Sequence, residues 1–191
     1  SCPVVRAWNW LAGRIGWESH LRAFVEKPMP RRAGWKSTLG TVAALLFAVQ
    51  AVTGMILAMY YVPTEEKAYA SIGYIMGEVP LGAFVRGIHH FCAGAMVSVV
   101  FVHLAVGYFT GAFKRPRELT WLTGLALLLA TFGLGFTGYL LPWDQKAYAA
   151  TLVATNIVKG IPVFGEFAAR ALLGGERLSS LTLTRFYSGH M

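Results

Sequence analysis

Two of the five histidines in this 191-residue chain, His89 and His103, stand fourteen positions apart inside a run without charge. Along a helix fourteen residues rise about 21 Å and turn about 1400°, which leaves both positions within roughly 40° of one face. Gly40 and Gly54 share that interval, as do Gly124 and Gly138. Imidazole is an axial ligand for haem iron. Glycine lets a flat macrocycle approach a helix backbone where a side chain would collide. Taken singly, an intramembrane His can serve an interhelical hydrogen bond, and a glycine pair can serve close helix packing. The spacing shared by all three pairs favours two haems stacked inside a helix bundle.

His90 competes with His89, and rotation separates them. From His90 to His103 is thirteen residues, which leaves the pair about 140° apart around a helix. His90 is therefore expected to make a polar contact elsewhere. His20 lies in a surface segment, so His190 is the remaining intramembrane candidate. It falls at the depth of His89, and the two can clamp one haem. A partner for His103 is expected some fourteen residues beyond His190. Arg86 stands one turn before His89, and Arg117 at the opposite level; each suits a haem propionate or simple snorkelling at a membrane boundary.

The elements that must position these residues emerge from the charges. Only 14% of residues are charged, 55% are hydrophobic and the mean hydropathy is +0.52. That composition excludes disorder, a basic nucleic-acid-binding tail and a small disulfide scaffold. Charge-free runs of 28, 27 and 25 residues separate Lys36 from Glu65, Arg86 from Lys114 and Glu118 from Asp144. A membrane helix needs about 20 apolar residues. Three spans are expected, at about residues 37–62, 81–110 and 119–141, with a fourth starting near 178.

The net charge of +8 is read by position. Lys27, Arg31, Arg32 and Lys36 precede the first span, and Lys114, Arg115 and Arg117 lie between the second and third, so both regions face the cytoplasm or its equivalent, the negative side. Residues 65–80 and 144–177 are expected as short surface helices on the positive side. Residues 1–30, with Val4, Trp8, Leu11, Ile15, Trp17, Leu21 and Phe24 between charges, fit an interfacial amphipathic helix or one packed on partner subunits. Residues 31–191 then form the bundle. No cleavable signal peptide is evident, and Cys2 and Cys92 define no disulfide framework.

The motifs Gln50-Ala-Val-Thr-Gly54, Arg86-Gly-Ile-His89, Pro116-Arg-Glu-Leu-Thr-Trp121, Gly138-Tyr-Leu-Leu-Pro-Trp-Asp-Gln145 and Thr184-Arg-Phe-Tyr-Ser-Gly-His190, with His103, resemble the N-terminal half of cytochrome b, closest to its b6-type branch. The resemblance implies an all-α, four-helix di-haem transmembrane bundle whose fourth helix is truncated here. It also implies that His89 and His190 ligate a low-potential haem near the positive side and His103 a high-potential haem near the negative side, with Gln50 and the four glycines alongside.

Tyr139 and the segment holding Ala149, Ala150 and Val153 would border a quinol-oxidation site. One quinol electron would pass to an iron-sulfur partner and the other across the haems to a negative-side quinone. Implied partners are a Rieske-type iron-sulfur protein, a c-type cytochrome and the C-terminal half of cytochrome b or a subunit IV-like protein, in a dimeric complex embedded in membrane lipid, with no nucleic acid. The expected location is a bacterial inner membrane or an energy-transducing organelle membrane. Thr38 stands where the photosynthetic branch carries a haem-attaching cysteine, so a covalent third haem is not expected. With three ligands and three full spans, the chain is expected to be a piece of a longer or split cytochrome b. Two other readings are a di-haem anchor of a membrane dehydrogenase or hydrogenase, and a haem-free scaffold or transport subunit.

Overall fold

The computed structural model describes residues 34–191 together with Pro3, Arg6 and Trp10. Those three are helical and exposed; the amphipathic helix expected over residues 1–30 otherwise lies outside the described residues. A compact unit runs from Lys36 to Met191. After a 3-10 turn at Trp35–Ser37 come seven α-helices among the described residues: α1 Leu39–Ala58, α2 Ala68–Gly77, α3 Gly82–Phe109, α4 Glu118–Leu140, α5 Gln145–Lys159, α6 Gly165–Leu173 and α7 Ser180–His190. No strand occurs among those residues.

Three stretches, Trp35–Ala58, Gly82–Phe109 and Glu118–Leu140, are long and apolar enough to cross a membrane. At about 1.5 Å per residue α1 alone covers roughly 30 Å, the thickness of the hydrocarbon. Helix is imposed on these segments, although they contain Gly, Val and Thr, because hydrocarbon offers their amides no partner outside the backbone. The long helices bury few residues: Thr53 in α1, Gly82 in α3, and Leu128, Thr131 and Leu140 in α4. Their apolar surface faces outward.

The first span is shorter than expected. α1 stops at Ala58, four residues before Val62. Pro63 disfavours helical backbone at Val62, and the chain turns through Met59 and Tyr60. Pro80 and Leu81 precede α3; an added Cβ on Gly82 would stand 2.0 Å from the Ile75 carbonyl oxygen, so only glycine lets α2 turn this tightly into α3. Asp144 opens α5 by accepting the Ala147 amide at 2.7 Å. Gly174, with φ 80°, closes α6 in the left-handed conformation.

The packed core lies at the end of the bundle that holds the α1–α2 turn, where Tyr61, Ala68, Ile75, Leu140, Ala147, Leu183 and Phe186 meet. It draws on α2, α4, α5 and α7. The Tyr61 hydroxyl donates to the Leu141 carbonyl at 2.7 Å, and its ring lies 5.4 Å from that of Tyr187. Along the long helices α1 packs on α3, α3 on α4, and α4 on α7. This order sets the histidines of α3 and α7 against glycine-bearing α1 and α4.

Candidate functional site

α1 and α3 run antiparallel in a register that brings both glycines of one opposite both histidines of the other. A Cβ on Gly54 would stand 3.2 Å from His89 Cε1, and a Cβ on Gly40 3.5 Å from His103 Cε1. On α4, a Cβ on Gly138 would fall 2.6 Å from His190 Cε1, while one on Gly124 would meet Leu104 at 3.2 Å. The glycines were expected to make room for a macrocycle. In this structure three of the four face an imidazole ring, because the histidine of one helix leans onto the backbone of its neighbour.

His89 and His190 come together. Their ring centres are 6.1 Å apart and their planes inclined by 74°. With metal–nitrogen distances of about 2 Å, a ring-centre separation of this order would let the two imidazoles hold one metal ion. Among the described residues no set of three or more His, Cys, Asp and Glu forms a metal cage. An imidazole pair suits iron whose other ligands belong to a macrocycle.

The tautomers of both rings follow from their hydrogen bonds. His190 Nδ1 lies 3.0 Å from the Leu134 carbonyl, which can only accept, so Nδ1 carries the proton. Thr53 commits its hydroxyl hydrogen to the Val49 carbonyl at 2.6 Å, and its oxygen accepts from His89 Nδ1 at 2.9 Å. Thr137 repeats this, donating to Gly133 at 3.0 Å and standing 3.2 Å from His190 Nδ1. Both rings therefore keep Nε2 unprotonated, the state a metal ligand needs. Gln50 adds a hydrogen bond from its amide to the His89 carbonyl at 2.8 Å.

His103 is exposed at the other level. One turn further along α3 Gly107 faces Trp121, whose Nε1 would stand 3.9 Å from a Cβ there. Among the described residues the buried side-chain atoms without a hydrogen-bond partner are Trp121 Nε1 and Gln50 Oε1. An indole N–H without a partner on the face of His103 suits an acidic group of a bound cofactor. The residues present thus fit haem.

His90 is exposed beside Phe91, away from the His89–His190 pair, in line with its rotation. Arg86 reaches toward Met76 Sδ at 3.6 Å, and Arg117 is exposed at the start of α4. Tyr139, Ala149 and Val153 are exposed and Ala150 is partly buried; the buried face of α5 is instead Ala147, Thr151 and Thr155. Sequence reasoning missed Thr53, Thr137 and Trp121. A signal for the threonines existed: Thr53-Gly54, Thr123-Gly124 and Thr137-Gly138 place the same dipeptide at three of the four glycines.

Known proteins are similar to this chain. The family model for cytochrome b/b6/petB matches residues 24–191. Cytochrome b6 of Prochlorococcus marinus (strain NATL1A) is 38% identical over the whole chain, which covers 86% of that protein. Cytochrome b6 of Synechococcus sp. (strain CC9311) is 39% identical with the same coverage. A chain of a hyperthermophilic respiratory Complex III superposes with a TM-score of 0.85 at 31% identity over 95% of this chain, which spans 49% of that longer one. Matched over residues 24–191 and through relatives that it covers almost whole, the chain belongs to the cytochrome b/b6/petB family.

Proposed function

We propose that this chain is the cytochrome b subunit of a quinol-oxidising bc-type complex and holds two b haems, one between His89 and His190 and one against His103. The observation that carries the reading is the 6.1 Å separation of two rings that each present a free Nε2. Haem, when bound, supplies reversible one-electron chemistry at two depths of the membrane.

The chain's own residues do the rest. Thr53, Thr137 and the Leu134 carbonyl fix ring orientation and raise ligand basicity. Gly54, Gly138 and Gly40 let the rings approach neighbouring helices. Arg86 on the positive side, and Arg117 with Trp121 Nε1 on the negative side, serve the propionates. Gln50 steadies the His89 turn. The apolar spans keep water from both levels.

The second ligand of the His103 haem follows from register. α4 and α7 are antiparallel, with Gly138 against His190. Gly124, fourteen positions before Gly138, would face a residue fourteen beyond His190, supplied by this chain or another. Thr123 precedes Gly124 as Thr137 precedes Gly138, and stands ready to hold that ring. Thr38 carries no thiol, so any third haem is non-covalent.

Tyr139 and the α5 face with Ala149, Ala150 and Val153 border the quinol-oxidation site on the positive side. The subunit works within a dimeric complex in membrane lipid. A Rieske-type iron-sulfur protein takes one electron from quinol, a c-type cytochrome accepts it, and a C-terminal half or subunit IV-like protein completes the site. A di-haem dehydrogenase anchor would lack that quinol site.

Substitution of the ligands in the purified membrane complex tests this. His89→Ala is expected to lose the positive-side haem, His103→Ala the other, and His90→Ala neither. Both haems retained in His89→Ala would overturn the ligand assignment.

A further inference from the structure

α7 ends at His190 and begins at Ser180, ten residues or about 15 Å away. Its first turns are polar and tied to α6, with Arg185 donating to the Ala171 carbonyl and Thr182 to that of Leu173. The first amides of any helix lack intrahelical acceptors. Here the Ser180 amide finds one far away in sequence, Glu65 Oε1 at 2.5 Å. The Ser180 hydroxyl donates to the same oxygen at 3.2 Å, and the Glu65 amide donates back to Ser180 Oγ at 3.3 Å. A carboxylate at this position also complements the positive end of the helix dipole.

Glu65 lies just beyond α1, the helix that holds His89 through Gly54, Thr53 and Gln50. α7 holds His190. The contact joins the two sides of the His89–His190 pair from the aqueous surface, beside the buried Tyr61 contacts with Leu141 and Tyr187. Because a helix is stiff along its axis, a slip at Ser180 becomes a slip at His190.

We propose that Glu65 is a positioning residue for His190: its carboxylate caps α7 from the α1–α2 turn and fixes where the His190 ring stands against Gly138 and His89. The inference rests on the haem-ligand reading of His190. The His103 haem, at the level farther from the capped end, is the internal reference.

The test compares the parent complex with Glu65→Ala, Glu65→Asp and Glu65→Gln. It reads the low-spin electron paramagnetic resonance signal of each oxidised haem and the rate at which each haem passes to apomyoglobin. In Glu65→Ala the positive-side signal is expected to shift or broaden and that haem to leave about five- to tenfold faster, the effect of a lost cap. The His103 haem, farther from the cap, should change less. Glu65→Gln, which keeps an acceptor oxygen, restores parent behaviour. Should Glu65→Ala fail to assemble, Glu65→Asp, whose carboxylate is drawn back by one methylene, is read the same way. Parent-like signals, or equal changes at both haems, overturn the proposal. Absence of the positive-side signal from the parent complex would instead overturn the ligand reading itself.

Discussion

The hydroxyl of Thr53 decides which nitrogen of His89 carries the proton. Thr53→Val keeps the shape and removes the acceptor. On the proposed ligation, the less basic ring would stabilise oxidised iron less, and the potential of the His89–His190 haem is expected to rise. A net hydrogen bond of about 1 kcal/mol corresponds to about 40 mV for one electron. Redox titration checks this, and an unchanged potential would contradict it. The glycines give a graded series. Gly138→Ala puts a methyl 2.6 Å from His190 and should cost most haem, Gly54→Ala at 3.2 Å less, and Gly40→Ala at 3.5 Å least, measured as haem per polypeptide. The histidine and glycine positions were legible because period and rarity mark them in an apolar run. Trp121 was not, since a tryptophan near a membrane boundary is ordinary until its unpartnered N–H is seen.

Among the elements, the long spans were readable from missing charge alone, whereas their ends depended on turn chemistry. The early stop of α1 at Ala58 follows from the chain entering Pro63, and the α2–α3 corner from Gly82 under the Ile75 carbonyl. The short helices α5 and α6 were expected as one or two surface helices; two form because Gly160 and Pro162 interrupt the chain between Lys159 and Gly165. Their caps set measurable stability. Asp144→Ala leaves the first turn of α5 without its acceptor and should destabilise the complex by about 1 kcal/mol. Tyr61→Phe, which strips a buried donor from the Leu141 carbonyl, should cost a similar amount, about 1 kcal/mol. Thermal loss of the positive-side haem spectrum reports both, and wild-type thermal behaviour would count against these contacts.

Across the whole molecule, the chain is an integral, multi-pass membrane protein of the cytochrome b family whose core sits at one end and whose paired histidines sit within the bundle. Sequence pattern supplied depth and face; it could not supply the register of α1 on α3 or of α4 on α7. Those registers turn four separate glycines into partners of specific residues. They also bring His89 and His190 together and leave His103 exposed. Everything proposed for the complex depends on two b haems at different depths. The most direct test is the reduced-minus-oxidised absorption spectrum of the purified complex, followed by redox titration. The account predicts b-type bands that titrate as two components, one of which disappears in His89→Ala. A spectrum without b-type haem, or with both components intact in that variant, would contradict it.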